Sequence, residues 1–242
     1  MKRLFVADAR EGRCVVKSPQ AHHLVHVLRM SAGDELEIFD GTGTTFPAKL
    51  DRLEGDAVVL LVAKGRPAPP LRRVTVVQGL PKGDKLEWVI QKGTELGASA
   101  FAIALCERTI VKVAGKEAHK QARWQRIAEE AARQCGRADV PVVHPPCPLD
   151  AAVQALAKGT HVFVLSEAER TTTLSAAFLA TGPTPDDVAL VVGPEGGLSP
   201  SELATLETLH AVPVTLGRLV LRTETAALAA LAVLRHLDGV LG

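Results

Sequence analysis

Two glycine-punctuated segments late in the chain carry residue types suited to chemistry. The first is an apolar run, Val188-Ala189-Leu190-Val191-Val192, leading into Gly193-Pro194-Glu195-Gly196-Gly197-Leu198-Ser199. The run reads as a buried strand. Ser199-Pro200-Ser201-Glu202 supplies a capping box with proline at the first helical position. Between strand and helix, the glycines permit a close approach of backbone to a small ligand, although any α/β protein needs such a tight turn. The spacing matches neither the dinucleotide fingerprint nor the P-loop, so nucleotide phosphate is not indicated.

The second segment is Leu216-Gly217-Arg218-Leu219-Val220-Leu221-Arg222-Thr223-Glu224-Thr225-Ala226. Thr223 or Thr225 is suited to cap the following helix, and Glu224 is favourable in its first turn. Capping does not account for two arginines just ahead of a helix's positive end. Cations placed there call for an anionic client.

A third cluster is basic. Residues 107–137 hold 8 Lys/Arg against 4 acids, in a chain whose formal net charge is only +1. A polyanion must therefore be met by a local patch rather than a global field. With residues 123–137 placed on a helix, Arg123, Arg126, Arg133 and Arg137 fall within roughly 80° of arc. Trp124, Ile127, Ala128, Ala131 and Cys135 lie opposite, and Glu129 and Glu130 lie off the stripe. The stripe is either a solvated face or a track for a phosphate backbone.

The elements that must position these residues change character at Lys64-Gly65-Arg66-Pro67-Ala68-Pro69-Pro70-Leu71-Arg72-Arg73, a stiff, polar connector. Before it, short strands are expected at 13–16, 35–39, 46–50 and 57–62, with a short helix at 22–30 and Asp40-Gly41-Thr42-Gly43 as a hairpin loop. After it, strands and helices alternate. Strands are expected at 74–79, 100–105, 161–166, 188–193 and 212–216, and helices at 84–97, 116–136, 199–210 and 223–237. That alternation predicts a parallel α/β sheet. The last helix is apolar nearly all round from Ala226 to Leu234, which predicts burial on most sides, in a core or against a second subunit.

At 242 residues, 47% hydrophobic and 23% charged, the chain suits one large or two modest globular domains. No run approaches the ~18 apolar residues of a membrane span. Asp8 arrives too early for the apolar region of a signal peptide, so the cytoplasm is the expected compartment. Cys14, Cys106, Cys135 and Cys147 are scattered, and the histidines, including His22, His23 and His26, lack ligand spacing. Free thiols and no metal site are expected. Tyrosine is absent and aromatics total 3%, which argues against extensive base stacking on aromatic platforms.

Taken together, the chain resembles the RsmE family of ribosomal RNA uracil-N3 methyltransferases, within the trefoil-knot (SPOUT) superfamily. The resemblance rests on Gly193-Pro194-Glu195-Gly196-Gly197 with Ser199 and Glu202, and on Leu216-Gly217 and Leu221-Arg222-Thr223-Glu224-Thr225-Ala226. It extends to Lys85-Leu86-Glu87, Gln91-Lys92-Gly93-Thr94-Glu95-Leu96-Gly97, Gln134-Cys135-Gly136-Arg137, Arg3-Leu4-Phe5-Val6, His22-His23-Leu24 and Val27-Leu28-Arg29. These matches span nearly the whole chain in the expected order. Cys135 stands where a small residue such as Ser is more usual.

The resemblance implies an N-terminal PUA-like β-barrel over residues 1–70 and a knotted parallel-sheet α/β methyltransferase domain over 71–242, acting as a homodimer. It implies that S-adenosylmethionine is wrapped by Leu165 and Ser166, by Gly193, Pro194, Glu195, Gly196 and Gly197, and by Leu216, Gly217, Leu221 and Thr225. The implied acceptor is N3 of a uridine in small-subunit (16S) ribosomal RNA. That nitrogen must lose its proton, so Glu195 and Glu224 are candidate bases and Arg222 a candidate stabiliser of the uracil oxygens. Arg3, His22, His23 and Arg29 join the arginine stripe as expected RNA contacts. A non-catalytic RNA-binding assembly factor, the same fold with another acceptor, and an unrelated small-molecule enzyme remain as alternatives.

Overall fold

Glu35-Leu36-Glu37-Ile38-Phe39 alternates polar and apolar side chains. In the computed structural model it is a strand that buries Leu36 and Ile38, as a half-buried sheet requires. Residues 2–67, 71–110, 117–181 and 187–242 are described. Chain contacts divide the molecule into two units, Met1–Pro70 with Ala132–Val140, and Leu71–Ala131 with Pro141–Gly242.

The first unit contains β1 (Arg3–Phe5), β2 (Gly12–Val16), β3 (Glu35–Phe39), β4 (Thr44–Glu54), β5 (Ala57–Val62) and β6 (Arg66–Pro67). The order is β1-β3-β4-β5-β2, with β6 also on β4. Only β1 on β3 is parallel. Helix α1 (Gln20–His22) runs on into a π-helical turn, His23–Val27. Its Leu24 is buried with Ile38, Leu50 and Leu60. The helix expected to reach residue 30 stops earlier, and Arg29 adopts a φ of 50°. Strand β4 is longer than the expected 46–50 because β3 and β5 pair along different stretches of it. In the loop between β3 and β4, the Asp40 carboxylate accepts hydrogen bonds from the Thr42 amide and hydroxyl, both at 2.8 Å.

Residues 132–140 belong to this unit for a visible reason. The backbone of Ala138 and Val140 bonds to Gly43 and Gly41, Arg3 donates to the Gly136 carbonyl, and the Arg133 guanidinium lies 4.8 Å from the Phe5 ring centre. Nothing local in the sequence announces this return.

The second unit is built on parallel strands β7 (Arg73–Gly79), β8 (Ala100–Leu105), β9 (Val142–Val143), β10 (Cys147–Pro148), β11 (His161–Leu165), β12 (Asp187–Val192) and β13 (Val212–Val214). Their order is β10-β8-β7-β12-β11-β13, with β9 also on β8. The helices are α2 (Lys85–Glu95), α3 (Glu117–Cys135), α4 (Leu149–Gln154), α5 (Leu174–Leu179), α6 (Pro200–Thr208) and α7 (Thr223–Leu237). Alternate strand residues serve two cores. Val76, Phe163 and Leu190 pack with α2, α5 and α7 through Leu86, Phe178 and Leu231. Val77, Val164 and Val191 pack with α4 and α6 through Val153 and Leu206. Burial on both faces is why β8 and β12 read as nearly continuous apolar runs.

Helix α7 buries Ala227, Ala230, Leu231 and Leu234, while Leu228, Ala229, Ala232 and Val233 are half-buried. Within one chain the helix is therefore buried along one side and half-buried along the other. At its C-terminal end Arg235 is fully buried. It donates to the carbonyls of Arg72, at 2.9 Å, and Gly97, and faces Asp238 at 3.3 Å. Asp238 also accepts from Arg72 Nε at 2.7 Å. Gly97, at φ +92°, has no room for a side chain: a Cβ would stand 2.9 Å from Arg235 Nε. Among the described residues no helix is long and apolar enough to cross a membrane, and no three potential metal ligands cluster.

Candidate active site

Three loops leave the carboxyl ends of neighbouring strands β11, β12 and β13, at the crevice where open α/β sheets bind ligands. They enclose a cleft of about 580 Å³, a size common for small-molecule sites. Of the residues expected around a cofactor, Leu165, Ser166, Gly193, Pro194, Glu195, Gly196, Gly197, Leu216, Gly217 and Leu221 line it, and Thr225 does not. Thr225 is exposed on the first turn of α7. Lys85, Arg108, Arg170 and Thr223 also line the cleft.

Each loop is fixed locally. In the first, one oxygen of Glu169 accepts from the amides of Arg170, Thr171 and Thr172 and from the Thr171 hydroxyl, at 2.7–3.0 Å. Those bonds, led by the Thr172 amide, pull its carboxyl down to about 2. The second loop enters α6 through the expected capping box: the Ser199 amide donates to Glu202 at 2.7 Å and the Glu202 amide to Ser199 Oγ at 3.1 Å. The other Glu202 oxygen accepts from the Glu107 amide at 2.9 Å. The loop is also tightly wedged, since a Cβ on Gly79 would come within 2.6 Å of the Pro194 nitrogen.

The third loop is tied to the second by a buried polar chain. Thr223 Oγ1 donates to the Gly193 carbonyl at 2.5 Å and accepts from Gln78 Nε2 at 2.8 Å. Gln78 also donates to the Gly79 carbonyl at 2.9 Å. Two acceptors around Nε2 settle which way the amide points. The helix cap expected from Thr223 or Thr225 falls instead to Arg222, which makes no side-chain cap bond. The Thr223 hydroxyl is spent on holding loop to strand. A threonine at a helix start is so well explained by capping that its sequence gives no sign of this second use.

The candidate catalytic groups gather around Lys85. Its ammonium meets Glu195 at 2.7 Å and Glu224 at 3.7 Å, and the bond to Glu195 raises its pKa. Burial pushes the Glu195 carboxyl up, but the Lys85 bond and the Lys82 amide outweigh it and hold the group below its ordinary value. A carboxylate so held is a weak base. Glu224 Oε2 is buried and makes no hydrogen bond among the described residues. Arg222 is exposed and lines the cleft.

The expected RNA contacts are distributed otherwise than a single stripe. Helix α3 ends at Cys135, so Arg137 lies beyond it, after Gly136 at φ +74°, and pairs with Asp139 at 2.5 Å. Arg123 pairs with Glu87 at 2.8 Å, Arg133 covers Phe5, and Arg3 bonds to Glu37 at 2.6 Å. Arg126, His22, His23 and Arg29 are exposed, and His22 stacks with His26 at 4.5 Å.

Residues 67–235 match the model of an RNA methyltransferase domain, and residues 11–62 match an RNA methyltransferase PUA domain. Ribosomal RNA small subunit methyltransferase E from Bacillus subtilis is 37% identical over 229 residues, covering 91% of this chain and 89% of that protein. The chain belongs to the ribosomal RNA small subunit methyltransferase E family. The member from Synechocystis is 35% identical, covering 97% of this chain and 77% of its own length. The crystal structure of the Neisseria gonorrhoeae member bound to S-adenosyl methionine superposes with a TM-score of 0.82 at 29% identity, covering 98% of both chains. The fold of this family member therefore comprises a PUA-like unit and a parallel α/β methyltransferase domain.

Proposed function

We propose that this chain transfers a methyl group from S-adenosylmethionine to N3 of a uridine in small-subunit ribosomal RNA, acting in the cytoplasm as a homodimer with a knotted C-terminal domain. The observation that carries the reading is that the glycine loop, the Leu216-to-Leu221 loop and Arg222 all face one cleft. The cleft suits the cofactor. Leu165, Leu216 and Leu221 offer apolar surface for a base, and the glycines leave backbone groups within reach.

Bound S-adenosylmethionine supplies an electrophilic methyl, so transfer forms an N3–CH3 bond, breaks S–CH3 and leaves a thioether. The chain's own residues must present N3 as an anion. Arg222, at the positive end of α7, is placed to stabilise charge growing on a uracil oxygen. Glu195 anchors Lys85 and the start of α2 rather than taking the proton, since it is held ionised and hydrogen-bonded. Glu224 keeps the role of candidate base. N3 lies on the pairing edge, so the target must be unpaired or extruded. Arg126, His22, His23 and Arg29 are the expected RNA contacts most open to solvent. The exposed Leu219 and Val220 (81% and 67%) support burial against a second subunit.

Calorimetric titration of S-adenosylmethionine into wild type and Gly196→Trp tests the site. Binding that the tryptophan abolishes in a folded protein supports it. No binding to wild type at millimolar cofactor overturns the reading in favour of a non-catalytic RNA binder.

A further inference from the structure

The cleft is unevenly charged. Four cations line it, Lys85, Arg108, Arg170 and Arg222, against two carboxylates, Glu167 and Glu195. Lys85 is committed to Glu195 and Glu224. Among the described residues, the three arginines have no carboxylate within ion-pair distance, unlike Arg3, Arg123 and Arg137 elsewhere.

Arg108 is the better organised of the two not yet given a role. It follows β8, and its Nη1 donates to the Gly196 carbonyl at 2.7 Å. Its aliphatic stem lies over the same glycine, where an added Cβ would meet Arg108 Cβ at 3.1 Å. One edge of the guanidinium is thus pinned to the loop, and the residue as a whole is exposed. A planar fork held this way loses little freedom on binding an oxyanion. Arg170 rises from the opposite wall, on the turn that Glu169 fastens. Its backbone is fixed and its exposed side chain is unpaired among the described residues.

We infer that Arg108 and Arg170 form a clamp on the cleft rim for the phosphodiesters flanking the target nucleotide. This rests on the proposed RNA methyltransferase activity. Two solvent-facing guanidinia on separate walls suit a strand that stays hydrated as it crosses the opening. A single buried carboxylate would call for one enclosed cation.

The test compares wild type, Arg108→Gln, Arg170→Gln and the double variant, each checked for unchanged thermal midpoint. RNA affinity is read with a labelled uridine-containing single strand over a range of salt, and cofactor affinity by calorimetry with S-adenosylmethionine. Each substitution is expected to weaken RNA binding by about tenfold. Each should also flatten the dependence of log K on log salt by about 0.7, the single-strand value for one phosphate contact, while cofactor affinity holds. Weaker cofactor binding with RNA binding and salt slope intact would assign the guanidinium to the cofactor's carboxylate and overturn the clamp. Unchanged RNA binding in the double variant would overturn it too. Because RNA binding is read without turnover, the clamp stands or falls separately from the methyl transfer itself.

Discussion

The two ends of α7 are both fastened by buried polar groups, but in opposite ways. At the N-terminal end a neutral chain runs from Gln78 through Thr223 to the Gly193 carbonyl. At the C-terminal end a charged network joins Arg235, Asp238, Arg72 and the Gly97 carbonyl. A neutral hydrogen bond contributes about 1 kcal/mol net, whereas a buried charge stripped of its partner is far more costly. The charged end therefore governs whether the helix stays docked. The neutral end, next to Arg222 and the glycine loop, governs where the cleft walls stand.

The largest effect should come from breaking the charged end. Arg235→Ala leaves Asp238, only 7% exposed in its side chain, short of a partner and two carbonyls without a donor. A loss of about 3–5 kcal/mol is expected, on the order of 10 °C in thermal midpoint for a unit of this size. A drop of only a degree or two would show that Arg72 alone satisfies Asp238.

Breaking the neutral end should cost less stability and more function. Thr223→Val keeps the shape but strands the Gly193 carbonyl and Gln78 Nε2, a loss of about 1–3 kcal/mol. S-adenosylmethionine binding should weaken by about tenfold, with Thr223→Ser restoring it. If serine fails to rescue, the methyl packing rather than the hydroxyl is what matters. If valine binds the cofactor normally, the clasp is structural only.

This contrast also marks what a sequence can disclose. The α6 capping box was legible because Ser199 and Glu202 sit three residues apart and act on each other. The parallel sheet was legible because strands and helices alternate after residue 73, and because a strand buried on both faces leaves an unbroken apolar run at 188–192. The Thr223 clasp joins residues 30 and 145 positions away, and Arg235 bonds to carbonyls 138 and 163 away. Neither leaves any local spacing to detect. The arginine stripe loses only its last member, for a related reason: a positive φ at Gly136 follows the end of the helix and Arg137 pairs with Asp139, while Arg123, Arg126 and Arg133 stay on α3.

Glu169 sharpens the comparison, because it is a charged group held by neutral donors in the open. Its folded pKa of about 2 lies below the ordinary carboxylate value of 4.5. Its contribution is therefore complete above about pH 4.5 and is lost as pH falls toward 2. Thermal melts from pH 5 to 2 should fall less steeply for Glu169→Gln than for wild type. Parallel curves would mean that the turn forms equally well around a neutral side chain.

The smallest effect belongs to the exposed counterpart of the Arg235 network. Arg123 and Glu87 pair at 2.8 Å, but the arginine side chain is 64% exposed. The chemistry is the same as at the end of α7, with water left in. A double-mutant cycle of Arg123→Ala and Glu87→Ala should give a coupling of about 0–1 kcal/mol. Since the pair opens so cheaply, Arg123 stays available to a phosphate, and its loss should weaken RNA binding even though stability barely moves. Stability and RNA affinity that both stay put would remove Arg123 from the RNA path. A coupling above 2 kcal/mol would show that charge rather than burial sets the difference between the two sites.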